Sequence, residues 1–355
     1  MAQTDNHLVI MAGGVGSRFW PMSTAETPKQ FIDVLGVGRT LIQLTNDRFK
    51  DVVSSENVWV VTNQKYVSLV HEQLPEIPLN HILSEPCRRN TAPCVAYVSW
   101  RIKKENPKAN IVVSPSDHIV TNEAEFRRVI TNCLKFTAET DAIVTLGMKP
   151  TRPETGYGYI QADLSTASAR NREIYRVDKF REKPDLPTAE QFIKQNNFFW
   201  NAGIFIWSAS TIVNAFRIYQ PSIARIFERI MDVLDTADEQ RVIDEVYPEC
   251  ENISVDYAIM EKAEEIFVCP ADFGWSDLGT WGSLLAQTQH DIYGNTVIGN
   301  NVHLFDSKNC IIHTTEERKV VIQGLDGYIV AEQDGKLLIC RLSEEQRLKQ
   351  FTGEG

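Results

Sequence analysis

Ala12-Gly13-Gly14-Val15-Gly16-Ser17-Arg18 follows an apolar run directly, and its composition suits one task, the cradling of an anion. Glycines let a backbone approach a ligand closely, and successive N–H groups along Ala12, Gly13, Gly14, Gly16 and Ser17 can point at phosphate oxygens. Arg18 adds a planar fork for two oxygens, and Lys29, in Pro28-Lys29-Gln30-Phe31, adds a point charge. Two familiar phosphate loops do not fit. A Walker A loop has Lys-Ser/Thr after its last glycine, where this chain has Ser17-Arg18. A dinucleotide fingerprint has Gly or Ala where Phe19 stands. A tight strand–loop turn with two solvated cations is the bland alternative, and the continuous run to Phe31 favours the phosphate loop over it.

The acidic candidates are more scattered. Asp117 follows the apolar run Ile111–Ser114, at the strand edge where open α/β sheets hold ligands. Asp277 lies between Trp275-Ser276 and Leu278-Gly279. Taken alone, such aspartates are commonly helix caps or turn residues.

The ordered set of motifs resembles the sugar-phosphate nucleotidyltransferases and, more narrowly, the mannose-1-phosphate guanylyltransferase family. The likeness begins with Gly13–Ser23 and Pro28–Phe31, where the family pattern reads GGxGTRLWPLS…PKQF and Ser17 and Phe19 depart from it conservatively. It continues through Glu85-Pro86 with Arg89–Pro93, Pro115–His118, Glu154–Ile160, Phe180–Pro184, Trp200–Gly203, Ser254–Glu261 and Gly274–Trp281, covering residues 7–285. The resemblance implies the reaction of GTP with α-D-mannose 1-phosphate to give GDP-mannose and diphosphate. A phosphate oxygen attacks the α-phosphorus in line with the leaving diphosphate, and being an anion already it needs no general base.

The resemblance also implies roles. Arg18 and Lys29 grip the GTP phosphates, Lys183 holds the sugar phosphate, and Asp117 and Asp277 carry Mg²⁺ or another divalent cation, which takes one or two carboxylates plus phosphate oxygens. Glu154, the Gly156 N–H, Glu182 and Asn201 form the sugar socket. Glu85 reads the base, because an acceptor-only carboxylate matches the N1–H and N2–H₂ donors of guanine. Asn90, Thr91 and Ser116 assist on the nucleotide side. Asp256 is a helix-start residue or a support, His118 is structural, and Arg181 is given no role. Two other functions stay open: a guanylyl- or other nucleotidyltransferase acting on a different sugar 1-phosphate, and a non-catalytic, nucleotide-sensing homologue.

These residues must be positioned by a Rossmann-like α/β domain with a mixed, mostly parallel sheet. Apolar runs at His7–Gly13, Asn57–Thr62, Asn80–Ser84, Asn110–Ser114 and Asp141–Met148 alternate with helical periodicity at Thr40–Asp51, Gln64–Leu74, Ala92–Asn106 and Glu123–Glu139. Strands are expected at Gly156–Gln161, Ile174–Phe180 and Gly203–Trp207, then helices to about residue 264. Short β-prone segments from Thr296 to Arg341, punctuated by Gly and Asn, predict a small all-β, β-helix-like module with a charged helical end. The expected division is a catalytic domain over 1–288 and a β-rich module over 289–355. The module is too short for a fused isomerase domain, and in relatives such modules help dimerisation, so a homodimer is expected.

The 355 residues carry 36 basic and 47 acidic side chains, a net charge of −11. Residues 223–265 hold 13 of the acids and 4 of the bases, so the rest of the chain is nearly neutral. That balance excludes a nucleic-acid-coating surface but permits a local anion site. No run is long and apolar enough to span a membrane, and the first residues lack the features of a signal peptide. Seven scattered cysteines without a CxxC pair suit reduced thiols in a cytoplasm rather than a zinc site or a disulfide framework.

Overall fold

The computed structural model describes residues 5–14, 19–314 and 318–353; Gly16, Ser17 and Arg18 of the expected phosphate loop lie outside these. The chain divides into two compact units. The first comprises Met1–Gly13, Asn46–Pro115 and Val120–Trp275, and the second Gly14–Thr45, Ser116–Ile119 and Ser276–Gly355.

The strands from Asn6 to Ser276 are β1 (Asn6–Met11), β2 (Val58–Asn63), β3 (Ile82–Glu85), β4 (Asn110–Pro115), the two-residue β5 (Ile119–Val120), β6 (Ile143–Met148), β7 (Tyr159–Ser168), β8 (Asn171–Arg181), β9 (Phe198–Ser208), β10 (Ile266–Ala271) and the two-residue β11 (Trp275–Ser276). Nine of them form one sheet in the order β3-β2-β1-β4-β9-β6-β10-β8-β7. β1 pairs in parallel with β2 and β4, β2 with β3, and β6 with β10, whereas β9 is antiparallel to β4, β6 and β7, and β8 to β7 and β10. Only β8 and β9 therefore run against the others, which makes the sheet mixed but mostly of one direction, as the alternation of strands and helices requires. The central strands are buried along their whole middle: Leu8, Val9, Ile10, Val60, Val61, Ile111, Val112 and Val113 have essentially no exposure.

Helices α1 (Leu41–Arg48), α2 (Val67–Gln73), α3 (Thr91–Glu105) and α4 (Glu123–Thr137) fall in the expected segments, followed by α5 (Leu186–Ile193), α6 (Ala209–Tyr219), α7 (Pro221–Arg229) and α8 (Glu239–Val246). Their starts are chemically marked. The side chains of Asn122, Asp185 and Ser208 accept from the backbone N–H three residues on, and Pro221 opens α7 where its missing N–H costs nothing. α3 buries Ala92, Val95, Ala96, Val98, Trp100 and Ile102. The acidic stretch after residue 223 supplies ion-pair partners to a buried arginine. Arg101, 1% exposed, is held by Glu105 and by Asp235 and Glu239 of that stretch. β10 is a strand for which the sequence offered no expectation, and β9 starts five residues before the expected Gly203, continuous with Phe198-Phe199-Trp200.

In the second unit, β12 (Thr296–Ile298), β14 (Ile311–His313) and β16 (Tyr328–Gln333) pair in parallel, β17 (Lys336–Arg341) closes that sheet as an antiparallel hairpin, and β13 (Val302–Phe305) pairs in parallel with β15 (Val320–Gln323). Thr296 faces Ile311 and Ile311 faces Ile329, so the chain returns to the same register after each coil, in the manner of a short β-helix. α9 (Trp281–Gln287) starts in a reciprocal capping box between Thr280 and Ser283, and α10 (Leu348–Thr352) ends the described chain. Phe19, Val34, Leu41, Leu278, Trp281, Leu284, Ile311, Ile329 and Leu338 share one buried apolar cluster in this unit. Among the described residues no helix is long and apolar enough to cross a membrane.

Candidate functional site

In the second unit, residues distant in sequence meet at one ammonium group. Lys29 opens a single 3₁₀ turn, Lys29–Phe31, and is 6% exposed. Its Nζ lies 3.0 Å from Asp117 Oδ2 and donates to the carbonyl oxygens of Asp277 and Leu278, each at 2.9 Å. An ammonium has three protons, and these three acceptors use them all. The ring of Phe19 lies 5.8 Å below the same charge. Lys29 thus ties together the segments that carry both acidic candidates. As it stands, a contact with phosphate requires one of its protein partners to be exchanged.

Asp117 keeps one third of its side chain exposed, with its other oxygen, Oδ1, 3.8 Å from His118 Nε2. Burial pushes its carboxyl up, but Lys29 and His118 together outweigh that, and it sits below the ordinary aspartate value. Asp277 Oδ1 accepts from the Gly279 N–H at 3.1 Å. Between them Leu278 adopts φ 46°, a left-handed conformation that a bulky L-residue holds only when its surroundings fix it. Here they do: the side chain is fully buried, its N–H reaches Ser276 Oγ at 3.3 Å and its carbonyl takes Lys29. Ser116, 3% exposed, precedes Asp117, and Gln30 donates to the Gly14 carbonyl at 3.0 Å.

The first unit carries the other candidates in two groups. On the nucleotide side, Ala12 is fixed to β2 through its N–H to Val61 O and through Thr62 Oγ1, which donates to its carbonyl. Glu85 ends β3 and is 8% exposed; Tyr247 donates to its Oε1, and its Oε2 lies 3.2 Å from where a Cβ on Gly13 would stand. A side chain at position 13 would crowd that oxygen, which is a local reason for glycine. Burial pushes the Glu85 carboxyl up to about 7, and the Tyr247 hydrogen bond opposes this. Asn90 precedes α3 with φ 63°, and Thr91 Oγ1 accepts from the Val255 N–H at 2.9 Å, fastening the Ser254–Glu261 segment.

On the sugar side, Asn201 is the hub. Its Oδ1 accepts from Thr145 Oγ1 at 3.0 Å and Gly203 N–H at 3.2 Å, and its Nδ2 donates to Asp256 Oδ1 at 2.9 Å. That leaves one amide proton to offer a hydroxyl. Glu182 pairs with Lys183 at 2.9 Å and presents its other oxygen 2.5 Å from the place of a Gly158 Cβ, so no side chain fits at 158 without moving Glu182. Lys183, at φ 45° before Pro184, is 59% exposed, with its N–H on Tyr157 O at 3.2 Å. Burial lowers its ammonium, and the hydrogen bond and charge of Glu182 more than reverse this. Asp256, at the head of the π-helical turn Asp256–Met260, is raised to about 7, first by burial and then by the charge of Glu182. Glu154 instead spans its own loop: Oε1 takes the Gly156 N–H at 3.1 Å and Oε2 takes Arg152, so the Gly156 donor is already used.

Sequence reasoning missed Tyr247 and Thr145. Both act through tertiary neighbours, Tyr247 across 162 residues, and neither has a local signal. A shallow crevice of about 330 Å³ lined by Arg127, Arg128 and Lys135 lies apart from the candidate residues. Its arginines are engaged by Glu123, Glu125 and Glu173.

Residues 7–293 match the family described as nucleotidyl transferase. Mannose-1-phosphate guanylyltransferase 2 of Escherichia coli O157:H7 is 36% identical over 353 residues, which cover 97% of this chain and 72% of that protein. The alginate biosynthesis protein AlgA of Pseudomonas fluorescens is 36% identical over 350 residues, covering 97% and 70%. A solved structure, described as mannose-1-phosphate geranyltransferase from Thermus thermophilus, superposes with a TM-score of 0.87 at 29% identity and covers 99% of both chains.

Proposed function

Because the chain belongs to the nucleotidyl transferase family, we propose that it joins GTP to mannose 1-phosphate, forming GDP-mannose and releasing diphosphate. Likeness over 97% of this chain to a guanylyltransferase supports the reaction class. The observation that carries the choice of base is Glu85, buried with one oxygen beside Gly13 and acceptor-only once ionised. Guanine presents two adjacent donors to such a group, whereas uracil and thymine present an acceptor on either side of one donor.

The chemistry asked of the protein is positioning and charge compensation. The mannose 1-phosphate oxygen is anionic at neutral pH, so no residue need deprotonate it. In this reading Lys183 takes the sugar phosphate, and Glu182 and the free amide proton of Asn201 take hydroxyls, with Thr145 and Asp256 fixing the Asn201 amide. Hydroxyl-reading groups of this kind discriminate strongly, since an absent partner leaves them unpaired.

The donor chemistry of Asp117 and Asp277 fits a divalent metal. Both are hard carboxylates, both segments converge on Lys29, and Mg²⁺ needs no more than two carboxylates where phosphate oxygens and waters complete its shell. Among the described residues no set of three or more His, Cys, Asp and Glu is gathered for a metal. Bound there, Mg²⁺ would offset charge on the nucleotide phosphates and on the leaving diphosphate. Lys29 keeps the two aspartate segments in register. Residues 1–288 carry the transfer chemistry in this assignment, and 289–355 form the β-rich module.

Diphosphate release with Mg²⁺, measured across five nucleoside triphosphates and several sugar 1-phosphates, tests the assignment. GTP with mannose 1-phosphate should exceed every other pair in kcat/KM by at least about 10-fold, the scale of one well-read polar group. A different preferred nucleotide overturns the role of Glu85.

A further inference from the structure

Tyr247 is the group that decides how Glu85 can be used. It stands at the start of the turn Tyr247–Glu249, immediately after α8, and has no solvent exposure. Its ring is boxed by Tyr97, with centroids 6.4 Å apart and planes at 65°, and by Phe227, at 6.5 Å and 73°. A carboxylate on a side chain as long as glutamate turns readily about its last bond. Tyr247 removes that freedom by holding Oε1, which leaves Oε2 on the side of Gly13. A buried carboxylate is more costly to the fold than an apolar residue of similar size.

We propose that Tyr247 is a positioning residue for nucleotide selectivity, holding one oxygen of the Glu85 carboxylate so that the other is fixed to accept from the guanine edge. This rests on the assignment of Glu85 to guanine. It adds that selectivity depends on a residue of the acidic helical stretch, 162 positions from Glu85.

The consequence is legible against pH. Among the described residues, the titratable groups facing the pair are the Cys94 and Cys250 thiols and the Tyr247 phenol itself. Burial pushes the Cys94 thiol and the phenol well up, and the Cys250 thiol to about 12, so Glu85 alone changes charge near neutrality. Asp256 and the substrate phosphates titrate in the same range, but they act equally on any purine triphosphate. The ratio of kcat/KM for GTP to that for ITP, which lacks the exocyclic amine, isolates Glu85.

The experiment measures that ratio between pH 5.5 and 8.5 for wild type, Tyr247→Phe and Glu85→Gln, with mannose 1-phosphate and Mg²⁺. Wild type should prefer GTP above pH 7 and lose preference below it, as protonation removes the acceptor. Tyr247→Phe should cut the ratio at pH 8 at least about fivefold, through KM for GTP, and move the midpoint to higher pH because the carboxylate loses its donor. Glu85→Gln should give a low ratio that no longer varies with pH. An unchanged ratio and midpoint in Tyr247→Phe, with Glu85→Gln impaired, overturns the positioning role and leaves the guanine assignment standing. Unchanged GTP kinetics in Glu85→Gln overturns the assignment itself. Should Tyr247→Phe melt too early to assay, a crystal structure of the wild type with GTP decides, and a Tyr247 hydroxyl that no longer holds Glu85 while the guanine edge is bound overturns the proposal.

Discussion

Replacing Asp277 by asparagine is expected to lower kcat for GDP-mannose formation by about 10³-fold or more while leaving the thermal midpoint within a few degrees of wild type. The two halves of that expectation have separate causes. The Asp277 side chain has a backbone partner, with Oδ1 accepting from the Gly279 N–H, and an asparagine Oδ1 can keep that bond. Lys29 reaches position 277 through the main-chain carbonyl, which the substitution does not touch. What disappears is a negative charge suited to a divalent cation, and loss of such a ligand is felt as several kcal/mol of transition-state stabilisation. Steady-state rates over a Mg²⁺ titration, beside a thermal melt, separate the two halves. Near-normal turnover in a folded variant removes Asp277 from the metal set.

Lys29→Met should fail differently, in the fold as well as in turnover. Methionine fills much of the same volume but leaves the Asp117 carboxylate without its ammonium and the Asp277 and Leu278 carbonyls without a donor. Breaking a buried ion pair from one side costs about 3–5 kcal/mol, and the partial exposure of Asp117 places this case near about 3 kcal/mol. The left-handed Leu278 loses a restraint at the same time. The sign of the pH dependence follows from Asp117. Its native carboxyl lies below the unfolded value of 3.8, so it stabilises the fold above that value and ceases to do so as pH falls through the lowered native one. The stability deficit of Lys29→Met should therefore be full at pH 7 and shrink in acid. Denaturant unfolding at pH 7 and pH 3 reads both. Equal stability of the two proteins at pH 7 would show that the ammonium is not a structural tie.

The acid–base design of the first unit has a cost of its own. Glu85 is raised to about 7 from 4.5 on folding, so burying its charge opposes folding by about 3 kcal/mol at pH 8. Groups held at such cost are commonly functional.

How far the sequence carried these conclusions depended on whether the determining contacts were local. Thr296–Ile298, Val302–Phe305 and Val320–Gln323 are strands within the β-prone zone expected from Thr296 to Arg341, where Gly and Asn punctuate short apolar runs. Ile266–Ala271 gave no such signal: Cys-Pro-Ala ends it, and its parallel partner in the sheet is β6, more than a hundred residues away. The opposed direction of β9 was equally invisible, since periodicity sets which faces are buried and not which way a strand runs. In the candidate site, residue types were legible and their uses were not. Lys29 reads as a point charge for phosphate beside a glycine loop, and only folding shows its three protons engaged by residues 88, 248 and 249 positions on. Glu154 and Gly156 read as two socket groups, and the structure makes them partners of each other. Tyr247 carries no motif at all, because its importance lies in where α8 delivers it.

The most direct test of the central claim is to follow one atom. Mannose 1-phosphate labelled with ¹⁸O in its phosphate is incubated with GTP, Mg²⁺ and the protein, and both products are analysed by mass spectrometry. If a sugar phosphate oxygen attacks the α-phosphorus of GTP, GDP-mannose and diphosphate form in equal amounts, with all the label in GDP-mannose and none in diphosphate. Label in diphosphate would contradict the mechanism, and an absence of GDP-mannose would contradict the function.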